Sequence, residues 1–251
     1  MRALFLFKHL SIINRNQMAQ ISSKLVRFFF TGILLIVFLL GQAQDKPSFL
    51  GFRAGVSIPI GGYAAKNLDG GSFTQVGFNV TVEGAWFFKP KFGVGGSVGL
   101  NMHPVDVASL GRVRVDENHF LNSVVIRSEP YTIITAMGGI FVQLPLNTVF
   151  SFSAKLLGGM LYGKTPYQLY KPDYFLLPDN WAEITSAQDW KFSWQTGVGL
   201  RYHLSPCIDL IFDTDLFYDQ LSFNFNTASG LRTDTKTIAF INTTVGFRIN
   251  L

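Results

Sequence analysis

Apolar residues recur at every second position through long segments of this 251-residue chain, and this period is the feature that most constrains its fold. Successive side chains of a β-strand point to opposite faces, so the period indicates strands with one apolar and one polar face. Trp190 and Phe192, for example, alternate with Lys191 and Ser193. After residue 45 no apolar run has the length of about 20 residues that a membrane helix needs. The sequence therefore predicts an all-β fold.

Eight segments have this alternation. They cover about residues 50–60, 76–86, 92–102, 131–145, 149–163, 190–204, 208–219 and 237–251. Each apolar face continues for about 10 residues, the length that a tilted strand needs to cross a bilayer. A soluble eight-stranded barrel would instead bury its large apolar residues and expose its charges. We therefore predict an eight-stranded antiparallel up-and-down transmembrane β-barrel.

The polar faces of these segments contain many Gly, Ser and Asn residues, together with five cations and five carboxylates. The cations are Arg53, Lys155, Lys191, Arg201 and Arg248, and the carboxylates are Glu83, Asp209, Asp213, Asp215 and Asp219. A balanced set suits a closed interior, where charges must be paired, and small residues suit the narrow lumen of an eight-stranded barrel. We therefore predict that the polar faces line the lumen. The predicted lumenal charge network consists of Arg53, Glu83, Lys155, Arg201, His203, Asp209, Asp213, Asp215 and Arg248.

Aromatic residues on the apolar faces lie near the strand ends. Trp86 and Tyr202 lie at one end of their strands, and Tyr162, Trp190 and Tyr218 lie at the other end. Aromatic girdles of this kind mark the two interfaces of a transmembrane barrel. The five residues are therefore predicted to form two interfacial aromatic girdles.

The connections between the segments alternate in length. Three are tight, at 89–91, 145–148 and 205–207, and four are long, at about 61–73, 103–130, 164–189 and 222–236. Outer-membrane barrels have short periplasmic turns and longer extracellular loops. We therefore expect four long extracellular loops and both termini on the periplasmic side.

The N-terminal region has the pattern of a secretion signal. Lys24 and Arg27 precede the apolar run 28–40, and Gly41-Gln42-Ala43 places small residues where a signal peptidase cleaves. The run is shorter than the 18 or so residues that a membrane anchor needs. The predicted domains are a signal peptide, residues 1–43, and an outer-membrane β-barrel domain, residues 44–251.

The basic character of the chain belongs to this leader. Residues 1–44 contain five basic residues and no acid, and subtracting these five from 21 Lys+Arg leaves 16, equal to the 16 Asp+Glu. The mature chain is therefore neutral, which argues against a nucleic-acid partner. The leader is long for its class, and translation from Met18 would give one of ordinary length.

The region from about residue 48 to 251 resembles the outer-membrane β-barrel proteins of Bacteroidota, a family similar to the transmembrane domain of OmpA that includes PorT-like proteins. The resemblance rests on the leader, the eight-strand pattern and the final Thr-Val-Gly-Phe-Arg-Ile-Asn-Leu. It implies that this last segment is recognised by the outer-membrane insertion machinery. The family usually ends in an aromatic residue, whereas this chain ends in Leu251, and its nearest aromatic residue is Phe247.

Candidate catalytic and metal-binding residues are few. His203 and Asp209 are expected to face each other across the tight turn 205–207, and such a pair together with a serine occurs in hydrolases. Because both are expected to point into the lumen, we interpret them as a structural ion pair. The acidic residues and histidine within 116–119 are interpreted as solvated loop residues rather than a metal site. We predict no catalytic residue, no metal and no cofactor.

The sequence thus predicts a non-enzymatic outer-membrane barrel with a side-chain-filled lumen and a structural or surface-interaction role for its long loops. The expected partners are outer-membrane lipid, the insertion machinery, and an extracellular ligand or protein at the loops. Three alternatives remain: a small passive pore, an accessory protein of a secretion system, and a lipid-modifying enzyme. The last needs a catalytic group at the outer rim, where Lys191, Asp219 and His103 occur without an evident nucleophile.

Overall fold

The computed structural model describes residues 48–174, 181–227 and 230–251. Its strands are, in chain order, β1 (Phe49–Pro59), β2 (Gly77–Lys89), β3 (Phe92–His103), β4 (Leu121–Ser128), β5 (Tyr131–Pro145), β6 (Phe150–Lys164), β7 (Gln168–Tyr174), β8 (Ala182–Ile184), β9 (Gln188–Ser205), β10 (Ile208–Thr227) and β11 (Gly230–Asn250). Helix α1 (Val107–Glu117) lies between β3 and β4, and a 3-10 turn (Gly61–Tyr63) follows β1. The predicted signal peptide lies outside the described residues.

Eight of these strands close into an antiparallel barrel, in the order β1-β11-β10-β9-β6-β5-β3-β2. Neighbours in this ring are consecutive barrel strands of the chain, and β1 closes the ring by pairing with β11. Closure leaves no free strand edge, so the backbone groups of the barrel are satisfied within it. The predicted eight-stranded up-and-down barrel is confirmed.

The barrel has two different ends. One end carries the tight turns after β2, β5 and β9, together with the start of β1 and the end of β11. The other end carries the long connections. We call these the turn end and the loop end.

The connection predicted at 222–236 is not a loop. Strands β10 and β11 stay paired up to Thr227 and Gly230, whereas β10 pairs with β9 only up to Tyr218. The β10–β11 hairpin therefore projects from the loop end of the barrel, and we call its part beyond Tyr218 the hairpin extension.

The physical reason for this error is a reversal of polarity in the hairpin extension. Leu221 and Phe223 are buried, whereas Ser222 and Asn224 are exposed. The inward side is now apolar and the outward side polar, which is typical of a sheet with one face in water. The strand thus continues after its outward face has ceased to be apolar.

Two other connections predicted as loops are folded as well. The connection after β3 contains α1 and β4, and the connection after β6 contains β7 and β8. Strands β4, β7 and β8 form a three-stranded antiparallel sheet, which together with α1 we call the loop-end module. Leu110, Ile126 and Tyr170 of this module pack in one buried cluster with Phe73.

Helix α1 begins at a capping residue. The Asp106 carboxylate accepts a hydrogen bond from the Ser109 backbone amide at 3.0 Å and another from Lys66 Nζ at 2.5 Å. The first bond satisfies an amide of the first helical turn, which has no partner within the helix. The second holds the connection after β1 against α1.

The outward faces of the barrel strands are apolar. Phe52 on β1, Val98 on β3 and Val198 on β9 are each at least 50% exposed, and similar residues surround the barrel. Apolar surface this extensive is unusual for a monomer in water. Among residues 48–174, 181–227 and 230–251, no helix is long and apolar enough to span a bilayer.

Candidate functional site

The middle of the lumen contains two cations and three carboxylates that are each at most 7% exposed. We call this group the central ion cluster; it consists of Arg53, Glu83, Lys155, Asp213 and Asp215. A guanidinium nitrogen of Arg53 lies 2.8 Å from Glu83, 3.1 Å from Asp213 and 2.9 Å from Asp215. Lys155 Nζ lies 2.9, 3.0 and 2.9 Å from the same three carboxylates. Each cation therefore contacts every carboxylate, which offsets the cost of removing these charges from water.

Strands from opposite walls build the central ion cluster. Arg53 lies on β1 and Lys155 on β6, and three strands separate β1 from β6 in either direction around the ring. Glu83 lies on β2, and both aspartates lie on β10. Because their side chains meet, the cluster bridges the full width of the lumen.

Two glycines of β9 make room for the aspartates. Gly197 and Gly199 lie opposite Asp215 and Asp213 in the register of β9 and β10. A Cβ atom at Gly197 would lie 2.0 Å from Asp215 Oδ1, and one at Gly199 would lie 1.7 Å from Asp213 Oδ1. Both distances are far below van der Waals contact, so the close approach of these carboxylates depends on glycine.

An aromatic layer fills the lumen on the turn-end side of the central ion cluster. The Phe49 ring centroid lies 6.2 Å from that of Phe87 and 5.9 Å from that of Phe141. The guanidinium groups of Arg248 and Arg201 lie 4.0 and 5.1 Å from the centre of the Phe49 ring. These cation–π contacts place two further positive charges at this level.

The structure places all nine residues of the predicted charge network on the inward side of the barrel. Eight are at most 7% exposed, and the ninth, His203, has a side chain that is 30% exposed. The buried cations are Arg53, Lys155, Arg201 and Arg248, and the buried carboxylates are Glu83, Asp209, Asp213 and Asp215. Four charges of each sign leave the lumen electrically balanced.

His203 lies at the turn end, opposite Asp209 as the sequence predicts. Its Nδ1 atom lies 2.8 Å from Asp209 Oδ1, and its Nε2 atom lies 2.8 Å from Ser151 Oγ. The sequence pattern does not connect Ser151 with this pair. The contact depends on the register of β6 against β9, and the long connection between those strands carries no signal that would reveal it.

A second apolar layer fills the lumen at the loop end, and we call it the loop-end plug. Tyr63 of the 3-10 turn inserts there, fully buried, with its ring centroid 5.6 Å from that of Tyr131 and 6.5 Å from that of Phe240. Phe217 stacks on Phe240 at 4.7 Å. Besides these four residues, the plug contains His103, Ile133, Leu161, Leu221 and Ile238.

The sequence placed His103 among the residues of the outer rim, but the structure does not. It is fully buried beneath the 3-10 turn, and its Nδ1 and Nε2 atoms lie 3.2 Å from Tyr63 Oη and 2.8 Å from Ser57 Oγ. Lys191 and Asp219 do lie at the loop end, with their charged atoms 3.5 Å apart.

The inward faces are also less polar than predicted. The alternation predicts Gly, Ser, Asn and charged residues on these faces, whereas the aromatic layer and the loop-end plug add large apolar side chains. Leu157 and Leu161 of β6 are at most 1% exposed inside the barrel, whereas Leu156 outside it is 59% exposed. A two-residue period cannot assign a face where both faces carry apolar residues.

The predicted girdle residues lie on the outer surface toward the two ends of the closed barrel, and Tyr218 lies where the pairing of β10 with β9 ends. Trp86, Trp190, Tyr202 and Tyr218 are 44, 62, 39 and 47% exposed, and Tyr162 is half-buried. The Tyr162 and Trp190 ring centroids are 4.7 Å apart. Trp86 and Tyr202 lie toward the turn end, and the other three lie toward the loop end.

A crevice of about 550 Å³ lies between the loop-end module and the hairpin extension. Its walls include Arg114, Tyr170 and Glu183 from the module side, and Arg232 and Lys236 from β11. The Arg114 guanidinium lies 4.4 Å from the centre of the Tyr170 ring. Burial raises the pKa of the Tyr170 phenol, although Arg114 acts in the opposite direction. Aromatic, cationic and acidic groups thus meet in one open site.

The titratable residues around α1 cap or follow the helix. Hydrogen bonds from Lys66, and then from Ser109, hold the pKa of Asp106 well below its usual range. Asp116 ends α1 with Glu117, and His119 follows the helix. Within the part of the chain that the structure describes, no group of three or more His, Cys, Asp or Glu residues is placed to hold a metal ion.

No protein-family model and no curated protein matches this sequence. Among solved structures, the chain is similar to Neisserial surface protein A, at 8% identity and a TM-score of 0.42, over 81% of this chain and 97% of that one. It is similar to a major outer membrane protein from Thermus thermophilus, at 12% identity and a TM-score of 0.43, over 83 and 100% of the two chains. It is also similar to Ail, the attachment invasion locus protein of Yersinia pestis, at 17% identity and a TM-score of 0.37, over 81% of this chain and 97% of Ail.

Proposed function

We propose that this protein is an outer-membrane β-barrel with a sealed lumen, and that it works through contacts made by its loop end at the cell surface. The observation that carries the proposal is the filling of the lumen at three levels. The aromatic layer, the central ion cluster and the loop-end plug follow one another along the barrel axis. An eight-stranded barrel is just wide enough to be filled by side chains, so transport through this lumen is not its role.

The outward surface supports placement in a membrane. Its apolar residues surround the barrel, and aromatic residues lie toward both strand ends, with Trp86 near the turn end and Trp190 near the loop end. This is the distribution that transmembrane barrels use to match the hydrocarbon core and its two interfaces. An outer membrane is the bilayer in which such barrels are found in bacteria.

Single-channel recording in planar bilayers tests the sealed lumen. The unmodified protein should give no steady conductance. Because the three layers block in series, Phe49→Ala, Asp213→Ala or Phe240→Ala alone should change little, whereas the triple variant, which opens all three layers, should conduct more than any single one. Phe120→Ala, an exposed change outside the barrel wall, serves as the control. Large, stable conductance from the unmodified protein would contradict the proposal and favour the small-pore alternative.

We also propose that the turn end faces the periplasm and the loop end faces the exterior. The chain offers a direct test, because its single cysteine, Cys207, is exposed in the turn after β9. A membrane-impermeant maleimide should not label Cys207 in intact cells, but should label it once the outer membrane is permeabilised. In a Cys207→Ser background, Phe120→Cys should be labelled in intact cells, since Phe120 is 74% exposed beside the loop-end module. The reverse labelling pattern would invert the orientation.

The crevice beside the loop-end module is the surface feature best suited to hold a ligand. Arg114, Arg232 and Lys236 supply three positive charges to its walls, against the two negative charges of Glu183 and Asp234. We infer a small extracellular ligand that carries an acidic group. Ligand-detected NMR with aromatic and sugar acids, on the protein in lipid nanodiscs, tests this.

The crevice also offers a matched control. Arg114→Ala should remove binding, whereas Arg112→Ala, an exposed change on the same helix, should retain it. Equal binding by both variants would move the ligand away from the crevice. The secretion-accessory alternative depends instead on a protein partner, and co-purification from intact outer membranes tests it.

A further inference from the structure

Three residues at the turn end form a hydrogen-bonded chain that the proposed function does not use. Ser151 Oγ lies 2.8 Å from His203 Nε2, and His203 Nδ1 lies 2.8 Å from Asp209 Oδ1. They come from β6, β9 and β10, three neighbouring strands of the barrel wall. The His203 backbone amide donates to the Val149 carbonyl at 2.8 Å, and this bond holds the segment just before Ser151 against β9.

The two imidazole nitrogens are used in the order that a serine hydrolase requires. An ionised carboxylate only accepts hydrogen bonds, so the proton between His203 and Asp209 belongs on Nδ1. Nε2 is then the acceptor for the Ser151 hydroxyl. A serine is thereby placed against a base that is itself oriented by a buried carboxylate, which is the arrangement that activates a nucleophile.

A cavity of about 510 Å³ adjoins His203 and opens at the turn end. Gln143 and Asn250 line it, and their side-chain oxygens are held by arginines: Arg201 Nη1 donates to Gln143 Oε1 at 2.6 Å, and Arg248 Nε donates to Asn250 Oδ1 at 2.8 Å. The amide nitrogens of Gln143 and Asn250 take no part in these two bonds, and amide donors at hydrogen-bond distance stabilise the negative oxygen that develops during acyl transfer.

Access limits the size of the substrate. Ser151 is 2% exposed and lies behind His203, outside the cavity lining, whereas the side chain of His203 is 30% exposed and lines the cavity. A substrate must therefore reach the serine hydroxyl along the imidazole ring. This path suits a short acyl group and excludes a long lipid chain.

We propose that Ser151 is a nucleophile that hydrolyses small carboxylic esters at the turn end of the barrel, with His203 as its general base and Asp209 as a positioning residue. This activity goes beyond the proposed function and does not depend on it.

The chemistry balances without a cofactor. Ser151 Oγ bonds to the ester carbonyl carbon while its proton moves to His203 Nε2, and the carbonyl oxygen becomes negative. The carbon–oxygen bond to the alcohol then breaks, and His203 returns the proton to the leaving oxygen, which leaves an acyl-serine. Water next adds to the acyl carbon as His203 takes its proton, and the bond to Ser151 breaks as the proton returns to Oγ. The net products are a carboxylic acid and an alcohol.

The first test uses the unmodified full chain in lipid nanodiscs and a small fluorophosphonate. The probe should form a covalent adduct that mass spectrometry maps to Ser151, and the protein should hydrolyse p-nitrophenyl acetate. Hydrolysis of p-nitrophenyl palmitate should be at least about 10-fold slower, because of the narrow approach. No adduct on the folded protein, or an adduct at another residue, overturns the proposal, and faster hydrolysis of the palmitate overturns the assignment to small esters.

Variants provide the second test. Ser151→Ala should lower the hydrolysis rate at least about 100-fold and abolish the adduct. Ser153→Ala is the matched control, since Ser153 is a buried, inward serine on the same strand. Equal rates in Ser151→Ala and Ser153→Ala overturn the proposal.

The positioning role of Asp209 is tested by comparing the changes in kcat and KM. Asp209→Asn should lower kcat strongly while leaving KM nearly unchanged, because the residue orients His203 and does not touch the substrate. A purely structural role would leave kcat and KM both unchanged in the protein that folds, and that result overturns the role of Asp209.

Discussion

The central ion cluster and the connections that adjoin the loop-end module both contain ion pairs, but the pairs are built differently. In the cluster, Arg53 and Lys155 are at most 7% exposed, and each contacts three carboxylates that come from two other strands. In the module region, Lys66 has a side chain that is 54% exposed and contacts the single carboxylate of Asp106. The first arrangement requires the register of the whole barrel, whereas the second requires only that two segments touch.

Buried and exposed ion pairs should therefore contribute differently to the free energy of unfolding. Buried charges are costly to remove from water, so the loss of one partner leaves the others uncompensated. Exposed pairs are screened by solvent and contribute little. We therefore expect the lumen to be intolerant of substitution and the module region to be tolerant, and the following variants test this comparison.

The largest effect is expected at Arg53. Arg53→Ala leaves Glu83, Asp213 and Asp215 with Lys155 as their remaining cation in the central ion cluster, and should destabilise the barrel by about 3–5 kcal/mol. Lys66→Ala is the control and should cost less than about 1 kcal/mol. Urea unfolding in lipid vesicles measures both. Similar losses for the two variants would mean that burial of the cluster does not determine its energetics.

The outer surfaces of the two regions should also differ. Val198→Lys places a charge on the apolar wall of the barrel, where it should cost about 2–4 kcal/mol in a bilayer. Phe120→Lys replaces a more exposed residue beside the loop-end module and should change stability by less than about 0.5 kcal/mol. Unfolding in vesicles again gives both numbers. A small effect at Val198 would argue that this wall does not face lipid.

Packing of the lumen predicts a smaller effect at Gly199. A Cβ atom there would lie 1.7 Å from Asp213 Oδ1, so Gly199→Ala should cost about 1–3 kcal/mol through overpacking. At Gly51, another inward glycine, the nearest atom to a Cβ would be 3.4 Å away. Gly51→Ala should therefore be nearly neutral in the same unfolding assay. Equal stability of the two variants would indicate that the aspartates can move aside.

The smallest effect is expected at Asp106. Its pKa is lowered by hydrogen bonds from Lys66 and Ser109, so its contribution is present above its unfolded pKa of about 4 and is lost as the pH falls below it. Asp106→Asn keeps a capping side chain but removes the charge, and should cost about 0.2–1 kcal/mol at neutral pH. Hydrogen exchange of the α1 amides, compared between the two proteins at each pH, should differ at pH 7, and the difference should shrink steadily as the pH falls below about 4 toward the lowered pKa of the folded state. A difference that grows at low pH would reverse the sign of this argument.

The sequence was informative where a strand faces two different environments. Alternation located the barrel strands because one face is apolar along its whole length, as between Phe52 and Arg53. Turn length then predicted that His203 lies opposite Asp209, because a tight turn leaves little freedom in the register. The fold class and the inward charges followed from these two signals.

The loop-end plug, the contact between Ser151 and His203 and the loop-end module depend on long-range contacts, which a local sequence pattern does not contain. Phe217 lies between Leu216 and Tyr218, so alternation cannot place it, yet it is 3% exposed inside the loop-end plug. Ser151 meets His203 through strands that are joined by a long connection, whose length does not determine their register. The loop-end module was missed because its elements are short and rely on contacts between connections rather than on their own periodicity.

The hairpin extension gives the molecule a defined reach. Nine residue pairs follow Tyr218 and Ala239 along β10 and β11. At about 3.3 Å per residue this is about 30 Å of paired strand, which rises about 20 Å above the lipid surface if it keeps the tilt of about 45° typical of such strands. An object that approaches the proposed exterior face would meet this projection before it met the headgroups. The extension would therefore act as a spacer, which sets the distance between the lipid surface and any large object that reaches the crevice.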